Sequence, residues 1–194
     1  MNELLEKFNE YREISNYRIK YVLDNGEIVE FKLKQTDFPH LIGLHKLVDI
    51  PLIGQFNDVS NSTVSAKFLI SKIKKEIILT ETTVKNSIYF PQIEDRYNNF
   101  SKENLLTLSY TDAIVDFDST LIGSKLKGDD ILFEDRQPQG YNHLSVAKDS
   151  NQNRYAESFF YNPTNLYINN QIIVKVSKIE IYNSQGQLYL EDSH

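Results

Sequence analysis

Two of the four histidines in the chain sit in one short stretch, Thr36-Asp37-Phe38-Pro39-His40-Leu41-Ile42-Gly43-Leu44-His45-Lys46-Leu47. Imidazole ordinarily titrates near neutrality, so a histidine within reach of a substrate can take or give a proton. Asp37 is a good helix N-cap, and Pro39 suits the first helical turn, where its missing N–H leaves no bond unmade. The segment therefore predicts a helix that starts here, ends before Pro51 and carries His40 on its first turn. Backbone dipoles at that end lower a histidine pKa and favour the neutral ring, the form a general base needs. A packed histidine with a hydrogen-bonded ring fits the same residues and is the commoner outcome. His45 lies five residues on, about 140° around an ideal helix. The spacing thus predicts that the two rings face different ways and that His45 is structural.

A second cluster runs Tyr141-Asn142-His143-Leu144-Ser145-Val146-Ala147-Lys148, then a polar turn, then Arg154-Tyr155-Ala156-Glu157-Ser158-Phe159-Phe160. With the period of two of a strand, Leu144 and Val146 share one face, and Tyr141, His143 and Ser145 the other. In the next strand Arg154 and Ser158 share a face, opposite Tyr155, Glu157 and Phe159. Two neighbouring strands would so gather His, Ser, Arg, Lys and Tyr. The hairpin register, which decides whether His143 and Ser158 meet, is open, and a sheet with one polar face accounts for the same residues. Further upstream, Asp112, Asp116 and Asp118 fall on one face of a predicted strand, 111–118, where carboxylates could hold Mg²⁺. No histidine or paired glutamate completes that set, so the expectation is a solvated acidic face and no metal or other cofactor.

These groups must be positioned by a chain of 194 residues, long enough to bury a core as one domain, 1–194. A hydrophobic share of 40% and an aromatic share of 12% exclude disorder. The absence of cysteine excludes disulfides, thiolate catalysis and cysteine zinc sites. The N-terminus lacks the pattern of a signal peptide, and no stretch approaches the ~20 apolar residues of a membrane span. A cytoplasmic protein without membrane contact is the expectation. The formal charge of −6 argues against tight nonspecific nucleic-acid binding. Its acidic excess gathers between Asp112 and Asp135 and need not cover the whole surface.

Residues 3–14 place Leu4, Leu5, Phe8, Tyr11 and Ile14 at helical spacing. Alternating runs over 17–23 and 28–33 flank Asp24-Asn25-Gly26, a hairpin signature. A helix over 62–75 carries Val64, Phe68, Leu69 and Ile73 on one side and Lys67, Lys72, Lys74 and Lys75 around the other. The lysines fit a solvated face, and they are also the best basic patch for a phosphate backbone. More helix is predicted over 92–106 with a restart at Ser101. Strands follow near 109–117, 130–134, 141–148, 155–161, 170–181 and 187–190. The terminal His194 carries no signal. The fold class is α+β, with N-terminal helices and a hairpin packed on a mostly antiparallel C-terminal sheet.

Four pieces, in order, carry a resemblance: Phe38-Pro39-His40-Leu41-Ile42-Gly43-Leu44 after a hairpin, Ile93-Glu94-Asp95-Arg96-Tyr97 before a helix, His143-Leu144 on a strand, and Ser158-Phe159-Phe160 followed by Tyr167. Together they resemble the phage-associated branch of the barnase–EndoU–colicin–RelE-like nucleases, the fourth of its phage subgroups. The resemblance implies a metal-independent endoribonuclease of phage or toxin–antitoxin type, in which the ribose 2′-OH attacks the adjacent phosphate. That chemistry asks for a base, an acid and cationic or hydrogen-bonding groups for the phosphate oxygens. Carried onto this chain, His40 and His143 become the acid/base candidates. Arg154 or Lys148 would stabilise the phosphorane, and Ser158 and Tyr155 would donate hydrogen bonds. RNA would be the substrate, gripped by Lys148, Lys72, Lys74 and Lys75, with an antitoxin or host protein as a further partner. The competing assignment is a non-catalytic phage or mobile-element protein that inhibits a host defence complex, its acidic stretch mimicking nucleic-acid phosphates.

Overall fold

Apolar spacing and turn chemistry translate directly into most of the elements of the computed structural model, which describes residues 2–55, 63–76, 78–107, 109–124, 126 and 128–193. The side chain of Val64 and His194 lie outside the described residues. The chain divides into two compact units, one of residues 1–15 and 34–104, the other of 16–33 and 105–194.

The first unit is helical. It holds α1 (Glu3–Ile14), α2 (Phe38–Leu41), α3 (Pro51–Gly54), α4 (Thr63–Lys74), α5 (Glu81–Lys85) and α6 (Glu94–Asn99), with α7 (Lys102–Leu105) at its end. Helix α1 has Glu3 and Glu6 in its first turn and Arg12 in its last, matching the backbone dipole at both ends. Its buried stripe of Leu4, Phe8, Tyr11 and Ile14 is the predicted one. Phe38 is the hub of this core: its ring centroid lies 5.2 Å from Phe8, 5.7 Å from Tyr11 and 5.4 Å from Phe100. Tyr11 also donates its hydroxyl to the Lys34 carbonyl at 3.0 Å, which fixes the approach to α2. The Asp37 carboxylate accepts from the Lys34 N–H at 2.8 Å rather than from α2, so it closes the 3₁₀ turn Gln35–Asp37 and is not the N-cap expected of it. Between α6 and α7 the Asn104 N–H bonds Ser101 Oγ at 3.1 Å, the predicted helix restart.

The second unit is an antiparallel sheet of β1 (Arg18–Leu23), β2 (Ile28–Lys32), β3 (Asp112–Ile114), β4 (Asp130–Asp135), β5 (Tyr141–Lys148), β6 (Arg154–Asn162), β7 (Ile173–Tyr182) and β8 (Leu188–Ser193). The order is β2-β1-β7-β3-β4-β5-β6, with β8 paired to β7. Strand β2 lies against β6, so the sheet curls nearly into a barrel. The architecture is thus α+β with its helices early in the chain. Among the described residues no helix is long and apolar enough to cross a membrane.

Strand β3 is shorter than its sequence pattern predicts. Asp116 adopts a left-handed conformation (φ 54°), and the Phe117 N–H turns to the Asp129 carbonyl at 2.7 Å. Asp112, Asp116 and Asp118 therefore do not share a strand face, because the strand ends before the second of them.

Candidate functional site

Helix α2 is a single turn. Gly43 follows it at φ 82°, with its N–H bonded to the His40 carbonyl at 2.9 Å, and a 3₁₀ turn restarts at Leu44–Lys46. This break overturns the helical-wheel separation of the two histidines, which needs one uninterrupted helix. The reversal at Gly43 brings the His40 and His45 rings face to face, with centroids 4.0 Å apart and planes within 14°. A Cβ at Gly43 would lie 2.8 Å from Ile93 Cγ2 and 3.3 Å from Arg96 Cδ, so the glycine is required by conformation and by contact. The segment 93–97, noted for its resemblance, is thereby packed directly against the histidine turn.

Both rings are half-buried. Burial, the neighbouring His40 and the cations Arg96 and Lys46 together press the His45 pKa down to about 2, so this ring stays neutral across the physiological range. Its Nδ1 is buried and has no hydrogen-bond partner among the described residues. The neutral His45 ring lays its π face on the His40 ring, 4.0 Å away. Arg96, half-buried beside them, supplies a fixed positive charge.

In the same unit, Lys67, Ile70, Ser71, Lys74 and Lys75 of α4 and its end line a cleft of about 380 Å³ with Gln35 and Thr36 opposite. Of the lysines singled out from sequence, Lys67, Lys74 and Lys75 line this cleft. Lys72 does not line it, and its ammonium sits 5.0 Å from the Phe68 ring.

The second unit holds the other candidates. His143 on β5 pairs with Phe133 of β4 on one side and Phe160 of β6 on the other. Its ring stacks on Phe160 at 4.7 Å and 5° and meets Tyr167 edge-on at 5.6 Å. It is fully buried, and neither ring nitrogen has a well-formed hydrogen bond. Burial lowers its pKa to about 4, with the Tyr141 and Phe160 backbone pulling weakly the other way. The register left open by sequence sets Ser145 opposite Ser158, so Ser158 shares the His143 face. Both hydroxyls are buried without partners among the described residues.

A register shift beyond Ser145 separates Arg154 from that face. Ser158 pairs with Ser145 but Ala156 with Val146, so Glu157 is an extra residue in β6 and reverses the alternation predicted for Arg154 and Ser158. Arg154 instead donates Nε to the fully buried Asp130 at 2.6 Å. Half-buried Tyr155 sits opposite Ala147. Lys148 gives its backbone N–H to Asp129 at 2.6 Å and its ammonium to Asp116 at 3.4 Å. With Lys175 on Asp112 at 2.6 Å, three carboxylates of the acidic stretch, Asp112, Asp116 and Asp130, each face a cation of the same sheet. Among the described residues no group of three or more acidic or histidine side chains could hold a metal ion.

The sequence gives no role in the chemistry to His45 or Arg96, which lie beside His40. A glycine directly after the His40 turn is a helix stop signal, and reading Gly43 as one would have exposed the fold-back.

A family model described as phage-Barnase-EndoU-ColicinE5/D-RelE like nuclease 4 matches residues 3–187. No curated protein matches the chain. No solved structure matches it either.

Proposed function

We propose that this chain, which belongs to the phage-Barnase-EndoU-ColicinE5/D-RelE like nuclease 4 family, is a metal-independent endoribonuclease whose acid–base centre is the stacked His40–His45 pair beside Arg96. The observation that carries the reading is the fold-back at Gly43, which joins two separated segments into one half-buried group of two imidazoles and a guanidinium. A positioned base contributes roughly 10²–10⁴-fold to such a reaction. His40 takes the proton of the ribose 2′-OH as the 2′-oxygen attacks phosphorus. The bond from phosphorus to the 5′-oxygen breaks, and that oxygen gains a proton from solvent. The products are a 2′,3′-cyclic phosphate and a 5′-hydroxyl. Arg96 faces the charge that grows on the equatorial phosphate oxygens. His45 stays neutral and holds the plane of the His40 ring.

Within this reading His143, Ser158, Arg154 and Tyr155 serve the sheet: the first two are buried, and Arg154 is neutralised by Asp130. The test is incubation of purified protein with total RNA and transfer RNA in EDTA, with end-group analysis of fragments. Cyclic phosphate ends that vanish in folded His40→Ala and Arg96→Ala variants support the proposal. Intact RNA, or cleavage unchanged in both variants, rejects it.

A further inference from the structure

We infer that the cleft between α4 and the turn Gln35–Asp37 is a phosphate subsite that holds a phosphodiester of a single-stranded RNA through Lys67, Lys74 and Lys75. The choice of RNA as ligand rests on the nuclease reading above; the anion preference rests on the cleft alone. Its wall is one stripe of α4, residues 67, 70, 71 and 74, at the spacing that aligns one helix face, continued by Lys75 just past the helix. Lys67, Lys74 and Lys75 line the cleft together with Ser71, Thr36 and Gln35, and Ile70, which is 6% exposed, forms part of its apolar lining. No carboxylate lines it.

That composition is anomalous for this chain. Acidic residues outnumber basic ones, 27 to 21. Lys7, Lys20, Lys85, Lys102, Lys148, Lys175 and Lys178 each hold a carboxylate within 3.4 Å. Among the described residues Lys32, Lys34, Lys67, Lys72, Lys74 and Lys75 hold none, and three of these, Lys67, Lys74 and Lys75, line one cleft. Like charges crowded in a concavity repel and focus a positive field, and the repulsion is relieved when an anion enters. The volume is at the lower end of ligand-binding clefts, suited to one nucleotide unit rather than a large cofactor. Hydroxyls and an amide add donors that a phosphate oxygen accepts from. The Lys74 ammonium also sits 5.2 Å from the Phe8 ring, which limits its wandering without neutralising it.

The test uses a short fluorescent 2′-O-methyl oligoribonucleotide, which has no 2′-OH to react, so binding is read whether or not the protein cleaves RNA. Each neutralised phosphate contributes about 0.7 to the slope of log affinity against log salt for a single strand. The triple variant Lys67→Gln, Lys74→Gln, Lys75→Gln is therefore expected to lower that slope by about 2. Its deficit relative to wild type then narrows about fifteenfold between 50 and 200 mM salt. Circular dichroism establishes that the variant is folded, and single substitutions replace it if it is not. Lys72→Gln, outside the cleft, is expected to change the slope by much less. An unchanged slope in the triple variant, or an equal fall with Lys72→Gln, overturns the subsite. Adenosine 5′-monophosphate binding as tightly as the oligonucleotide overturns the assignment to RNA in favour of a free nucleotide.

Discussion

Replacing His143 with Phe separates a packing role for this residue from a catalytic one. The ring is fully buried between Phe133 and Phe160, and burial holds its pKa at about 4 against an ordinary 6.5. Between those two values the unfolded chain binds a proton that the folded chain refuses. Stability therefore rises with pH across this window and is lost as pH falls from 6.5 towards 4. Two and a half pH units at about 1.4 kcal/mol each come to about 3.5 kcal/mol for this one ring, of which about 3 kcal/mol is reached by pH 4. Below pH 4 the group titrates in both states and its contribution stops changing. Phe keeps the aromatic stack and removes the titration. It also removes buried nitrogens worth about 1–3 kcal/mol when left without partners. The larger ring costs a similar amount in overpacking, so stability at pH 7 changes little. Urea denaturation at pH 7, 6, 5 and 4 is the assay, read as the difference between wild type and variant, which cancels the carboxylates common to both. The difference should move by about 3 kcal/mol in favour of the variant between pH 7 and pH 4. Parallel pH profiles would refute the burial argument. Loss of RNA cleavage in a stable His143→Phe protein would return the residue to the chemistry.

Gly43→Ala forces a left-handed backbone on alanine, about 1–2 kcal/mol, and pushes a methyl group into Ile93. A lowered melting temperature together with lost RNA cleavage is expected, and full activity would separate the stacked histidines from function. Phe38→Ala empties the hub that seats α2 and should cost about 3–5 kcal/mol in chemical denaturation; a loss under 1 kcal/mol would mean the ring cluster is not the core of the first unit. Asp130→Ala strands Arg154 in a part-buried site and should cost about 3–5 kcal/mol, whereas the double variant Asp130→Leu, Arg154→Met should recover most of it. No recovery would point to a role for the ion pair beyond charge compensation.

Local rules made much of the fold legible in the sequence. Helix α1, the hairpin of β1 and β2, the Ser101 restart and strands β4 to β8 all follow from apolar period and turn residues. What escaped depended on single backbone conformations. The strand pattern at Asp112 runs past the true strand end because nothing in the sequence marks Asp116 as left-handed. A period-two pattern sets Arg154 on the wrong face because one extra residue, Glu157, inverts it, and a bulge leaves no compositional mark. An ideal helical wheel separates His45 from His40 only by running through Gly43. In each case the sequence carries chemical identity but not direction. Direction is what decides whether side chains share a site.

The same distinction resolves the apparent conflict between a formal charge of −6 and a nuclease family. Net charge governs long-range attraction, but screening at physiological salt confines each charge to about 8 Å. The quantity that matters to a phosphate is then the local field. In the second unit Asp112, Asp116 and Asp130 each face a cation of the same sheet, so much of their charge is spent inside the fold. In the first unit Lys67, Lys74 and Lys75 line a cleft without a carboxylate. An acidic chain can thus carry a positive cleft, provided its negative charge is neutralised where it stands. Reversing one partner, as in Lys175→Glu, should leave RNA affinity nearly unchanged, while Lys74→Glu should lower it tenfold or more. Equal losses from both would restore net charge as the controlling variable.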